Sequence, residues 1–194
     1  MSTKKTGFTL IELLIVIAII AILATTAVLV LNPSEILKKA RDTQRIGDLE
    51  TVASAIAYSL ATLSKTPSFQ AGSGFSCASN CASSLTGVSA NCGGRNTQTP
   101  AKSTVDRSAT PRAIDGNGWV ALNFSAVTNN PLSILPMDPS PDNALTFYAY
   151  ACDNDKQKYE LSAVLEATDN VSRMKNDGGD KDSVYEVGSG ISSL

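Results

Sequence analysis

The chain has 194 residues, 43% of them hydrophobic and 18% charged, with a formal net charge of -2 and no histidine. That length suits one domain of ordinary size with a core of its own. Without histidine no Ser-His-Asp or Cys-His catalytic arrangement can be assembled, and the commonest metal ligand is missing. The near-neutral balance, with its basic residues scattered, argues against an extended nucleic-acid surface.

The average hides two unlike pieces. Met1 to Gly7 is polar and carries Lys4 and Lys5; Leu13 to Leu31 then runs without a charge, with Glu12 at its leading edge. As a helix those residues span about 28 Å, close to the hydrocarbon thickness of a bilayer. Lysines before the run, and no charge after it until Glu35, place the N-terminus in the cytoplasm and the residues beyond about position 32 outside. A plain signal anchor and a cleaved secretory signal are the competing readings. Against the second, the apolar run is too long for a signal h-region and continues into a further helix. A carboxylate within an apolar helix costs roughly 2.5–3.5 kcal/mol at the centre and less near the end, so Glu12 is expected to have a partner.

Lys4-Lys5-Thr6-Gly7-Phe8-Thr9-Leu10-Ile11-Glu12, followed by Leu13 to Leu23, resembles the class III leader of type IV pilins and pseudopilins. The resemblance covers roughly residues 1 to 32. It implies that a membrane-embedded prepilin peptidase cuts after Gly7 and N-methylates Phe8. The apolar helix is then retained, first as a membrane anchor and later as the packed core of a helical filament. Glu12 would neutralise the terminal amine of a neighbouring subunit; pairing within one subunit, at i,i+4 from Phe8, is also geometrically open. Either way, an ammonium and a carboxylate in apolar surroundings each need an opposite charge.

Asn32-Pro33-Ser34-Glu35 reads as a helix start, with Asn as N-cap and Pro at the first position, or as a kink in one long helix. The resemblance favours the kink. Leu49, Val52, Ala53, Ile56, Ala57, Leu60 and Leu63 form an apolar stripe on an amphipathic helix that should end near Lys65, before Thr66-Pro67. Lys38, Lys39, Arg41, Asp42, Arg45, Asp48 and Glu50 read as a solvated face, with contacts between filament subunits as the alternative. From Thr66 to Pro100 the chain is mostly Ser, Thr, Asn and Gly, too poor in apolar side chains to order itself. Cys77, Cys81 and Cys92 within it, with Cys152 downstream, imply two structural disulfides in an exported domain, with three pairings open. The spacing is a poor match for a zinc site or a redox pair.

The C-terminal half reads as strands. Trp119 to Phe124 is a β-prone run after a Gly-rich turn; Leu145 to Ala151 and Lys158 to Leu165 flank the turn Asp153-Asn154-Asp155 as an antiparallel hairpin; Val184 to Val187 adds a final strand. Tyr159, Leu161, Ala163 and Leu165 share one face, expected to pack on the helix. Leu135-Pro136-Met137-Asp138-Pro139 is extended and unsuited to a central strand. Asp177, Asp180, Asp182 and Glu186 surround a glycine turn and offer oxygen ligands for calcium, as in the C-terminal loop of major pseudopilins; a solvated acidic turn is the alternative. No other cofactor is expected. Asn123-Phe124-Ser125 and Asn170-Val171-Ser172 match the short N-glycosylation pattern.

The expected fold is α+β and pilin-like: a long N-terminal helix, half transmembrane and half amphipathic, packed on a small antiparallel sheet. Its parts are a leader (1–7), a transmembrane and filament-core helix (8–32), an amphipathic half (33–65) and an exported head (66–194), the last split into a disulfide-bonded loop region (66–118) and a sheet with the C-terminal loop (119–194). The expected function is structural rather than enzymatic: a type IV pilus-like filament subunit, held as a single-pass membrane protein before assembly and as a surface or periplasmic filament afterwards. Its partners would be a pilin filament, prepilin peptidase and a membrane assembly platform. A type II secretion pseudopilin is the nearest alternative, and a minor pilin binding DNA or a surface is another.

Overall fold

The computed structural model describes residues 7–63, 68–72, 74–95, 102–140 and 145–190. The chain divides into two compact units, residues 1–37 and 38–194. In the first, helix α1 spans Leu10–Leu31. Its start is fixed by a capping box: the Thr9 hydroxyl accepts from the Glu12 amide, and the Glu12 carboxylate accepts from the Thr9 amide. The expected kinked continuous helix is instead broken at one residue. Asn32 adopts the left-handed conformation (φ 41°, ψ 74°), and helix α2 begins directly after it, at Pro33, and runs to Thr62. The Pro33 ring disfavours the helical conformation at the preceding residue, and asparagine is one of the few side chains that tolerates the left-handed region. The Asn32 carbonyl then accepts from the amides of Glu35 and Ile36. The helix ends at Thr62, three residues short of the expected Lys65, which lies outside the described residues.

In the second unit a five-stranded sheet receives the stripe of α2. Its strands are β1 (Asn80–Ser83), β2 (Ser103–Asp106), β3 (Ala149–Asp153), β4 (Lys158–Ala163) and β5 (Tyr185–Gly188), in the order β2-β1-β3-β4-β5. Only β1 and β2 pair in parallel. The β3–β4 hairpin is in register from Ala149↔Ser162 to Asp153↔Lys158. One face of the sheet, with Ala82, Tyr150, Leu161 and Ala163, joins Leu49, Val52 and Ile56 of α2 in the main core. The α+β architecture follows the pattern of apolar residues, with period 3.6 along α2 and period 2 along β4.

Two expectations fail here. The described residues of the 66–100 stretch, 68–72 and 74–95, are ordered: they supply β1 to the interior of the sheet and bury Phe69, Phe75, Cys77, Cys81 and Cys92. Sparse apolar residues suffice because two of them are aromatic and three are crosslinked. Trp119 to Phe124 forms no ladder. All of Trp119, Val120, Ala121, Leu122 and Phe124 are buried, but the backbone bonds go to loops: Trp119 N–H to Pro111 O, Phe124 N–H to Ile114 O, and Ala121 O from Ala71 N–H. A further short helix, α3 (Val171–Lys175), follows β4 and a 3-10 turn.

The cysteines pair as Cys77–Cys152 and Cys81–Cys92, closing separations of 75 and 11 residues. The first ties the disulfide loop to β3. Buried Lys102 reinforces it by donating to the carbonyls of both Cys77 (2.7 Å) and Cys152 (2.9 Å). The second holds a left-handed turn, Asn91 to Gly94, all with positive φ, against β1. Replacing Cys81 and Cys92 together by alanine should cost about 3 kcal/mol by loop-closure entropy. Urea melts followed by Trp119 fluorescence check this, and an unchanged midpoint would contradict it.

Candidate processing and assembly site

Gly7, Phe8 and Thr9 precede the first helical residue, Leu10. Phe8 is 87% exposed, and a Cβ placed on Gly7 would meet nothing within 4 Å. The Gly7–Phe8 peptide bond therefore lies outside the helix, and among the described residues nothing crowds it. One turn on, the Glu12 carboxylate accepts from the Thr9 amide at 2.8 Å and from its hydroxyl at 2.7 Å. Thr9 is a residue that sequence reasoning passed over, although Thr9-Leu10-Ile11-Glu12 is a legible capping-box pattern. It holds the acidic side chain at the start of the helix, on the side of the residue that would carry a new terminal amine.

No residue of α1 with a described side chain is buried, and Leu10–Val28 is long and apolar enough to cross a membrane. Such a surface is stable only in lipid or against other apolar helices. The comparison with protein families decides what kind of segment it is. Residues 2–28 match the prokaryotic N-terminal methylation motif. That is the leader signature of type IV pilins and pseudopilins, and with the apolar helix it fits a membrane-anchored pilin. Pilins are structural subunits rather than enzymes. No curated protein and no solved structure matches the chain.

The remaining expected sites lie in the head. The proposed calcium ligands Asp177, Asp180, Asp182 and Glu186 are not brought together as a ligand set: among the described residues no group of three or more acidic or thiol side chains is placed to hold an ion. Oxygens of two of them, Asp177 and Glu186, accept from the loop's own backbone. Asp177 accepts from the amides of Gly179 and Glu186, both at 2.8 Å, capping the outer edge of β5, and Glu186 accepts from the Lys181 amide at 3.1 Å. Asp180 and Asp182 are exposed. Gly179 lets the Glu186 carboxylate lie close to the turn: a Cβ there would sit 1.8 Å from Glu186 Oε2, and that side chain would have to move. Neither glycosylation pattern presents its asparagine freely. The Asn170 amide donates to Asp42 at 2.8 Å, and Asn123 is half-buried in a bridge with Asp115.

The charges read as a solvated face contain the largest departure from expectation. Asp42 and Arg45 are fully buried. Arg45 makes a two-pronged contact with Asp138, Nε to Oδ2 at 2.8 Å and Nη2 to Oδ1 at 2.9 Å. It also reaches Asp42 (2.9 Å) and Glu166 (2.6 Å). Arg41 adds a second cation on Glu166, and Asp42 accepts from the amides of Glu166 and Ala167. This ionic clamp fastens α2 to the Leu135–Pro139 segment and to the segment after β4.

Proposed function

We propose that the chain is a structural subunit of a type IV pilus-like filament, matured by prepilin peptidase through cleavage after Gly7 and methylation of Phe8. The observation that carries this reading is the methylation motif continuing into an apolar helix with no described side chain buried. Before assembly the helix anchors the protein in the membrane, with the N-terminus cytoplasmic and the head exported. In the filament the same surface is covered by neighbouring helices. The break at Asn32 divides the anchor from the part of α2 that the head encloses. Within this scheme Glu12 pairs with the Phe8 ammonium of a neighbouring subunit, exchanging the Thr9 hydroxyl for a charged partner; in apolar surroundings that exchange is favourable because it neutralises two groups at once.

Mass spectrometry of the exported protein should show N-methyl-Phe8 as its first residue. An intact Met1, or cleavage near Ala24, would overturn the reading. Glu12→Val should insert into the membrane normally yet fail to enter filaments alongside wild-type subunits, as judged by immunoblotting of sheared filaments. Normal incorporation of that variant would remove the charge-pairing role while leaving the processing site intact.

A further inference from the structure

On the face of the sheet away from α2, the disulfide loop forms an outer layer over β1, β3 and β4, with Cys81, Cys92, Phe147, Ala149 and Ala151 as a second small core. Beside it opens a cavity of about 500 Å³, walled by the loop on one side and by the residues after β4 and before β5 on the other. That volume falls within the usual range for small-molecule sites, about 300–1,000 Å³. Its walls are mainly apolar, and one cation is set among them.

That cation is Arg95, 5% exposed. Its guanidinium lies 3.5 Å above the Phe147 ring. Nη1 donates to the Phe147 carbonyl (2.5 Å) and more distantly to that of Ser162 (3.4 Å), while Nη2 donates to the Leu145 carbonyl at 2.9 Å. Three carbonyls leave two of the five guanidinium donors unused, and among the described residues Nε has no acceptor. No carboxylate among the described residues forms an ion pair with Arg95, in contrast to Arg45. Burial lowers its pKa to about 9, so it remains charged at neutral pH. A desolvated cation without an anion is costly, and one at the wall of an apolar cavity attracts an anion that brings its own apolar body. The left-handed turn held by Cys81–Cys92 is what carries the chain through Gly93 and Gly94 to place Arg95 there.

We propose that this cavity binds a small apolar monocarboxylate, with the carboxylate on Arg95 and the body against Leu85, Val88, Phe147, Val164 and Val184. Among the described residues, none of α1 or α2 lines the site.

The test is ligand-observed NMR of the full chain in nanodiscs, titrated with 3-phenylpropionate and, separately, with the neutral 3-phenylpropanamide; empty nanodiscs provide the background. Saturable binding of the acid, at least tenfold weaker binding of the amide, and loss of binding in Val164→Trp are expected. Ser183→Trp, at an exposed position on the cavity wall, blocks the same space should Val164→Trp disturb the sheet. No saturable binding, equal binding of acid and amide, or undiminished binding in a folded blocked variant would each overturn the proposal.

Discussion

Arg45→Ala should destabilise the head by about 3–5 kcal/mol, the usual cost of removing one partner from a buried ion pair. The magnitude follows from what is left behind. Asp138 and Asp42 are buried, and Glu166 is largely so; the substitution removes the ion pair that each makes with Arg45 and leaves Arg41 paired with Glu166. Arg45→Lys should recover little, because an ammonium cannot match the two-pronged contact with Asp138 while also reaching Asp42 and Glu166. The clamp also sets an acid limit. Burial alone would raise the Glu166 pKa, but hydrogen bonds from Arg41 and Arg45 outweigh it and hold the value below 4.5. A carboxylate lowered in the folded state contributes stability above its unfolded value, and that contribution is lost as pH falls through the folded value. Thermal melts followed by near-UV circular dichroism of Trp119, which lies 5.4 Å from the Tyr148 ring, would detect both effects. A change below about 1 kcal/mol in Arg45→Ala would show that the clamp contributes little net stability.

The clamp was legible in part. Asp42 and Arg45 precede Leu49, Val52 and Ile56 at spacings of three and four, so they continue the apolar stripe rather than the solvated face. Charge alone suggested solvent; position on the stripe indicated burial. Asp138 and Glu166, 93 and 121 residues away from Arg45, carried no local signal, because the pairing depends on how the loops around the sheet fold back. The same distinction explains the strands. The β3–β4 hairpin and β5 are local alternations and could be read directly. Strands β1 and β2 are four residues each, polar, and paired in parallel across the disulfide loop; they are strands because of their neighbours and the crosslinks. Trp119 to Phe124 shows the reverse, a strand-like composition produced by burial on all sides without a ladder partner. The leader motif was the most readable part, since its residues are consecutive in the chain. In the acidic turn, composition supplied the carboxylates, while the amides that Asp177 and Glu186 accept from depend on how the loop closes.

Glu160→Gln should make the head more stable at pH 9 and flatten its dependence on pH. Glu160 and Glu186 lie on adjacent strands, 3% and 2% exposed, and each has one oxygen without a hydrogen-bond partner among the described residues. Burial, followed by the charges of Glu186 and Asp180, pushes the Glu160 carboxyl up to about 9, with Lys102 pulling it back. Burial likewise raises Glu186 to about 7, against a hydrogen bond from the Lys181 amide that favours its charged form. Both values exceed those of an unfolded glutamate, so the folded state holds protons that the unfolded chain releases. The stabilising effect of these protonated groups is therefore complete below about pH 4.5 and is lost as pH rises through about 7 and then 9. At ~1.36 kcal/mol per pH unit, the ceiling is several kcal/mol. Glu166 acts in the opposite sense, so the two effects together make stability fall on either side of the mildly acidic range. Melts in a chelating buffer, so that the carboxyls titrate without bound cations, should fall steadily from pH 5 to 9 in the wild type and less steeply in Glu160→Gln. A flat wild-type profile, or the same slope in the variant, would mean that the pair is ionised at little cost and that Lys102 alone compensates it.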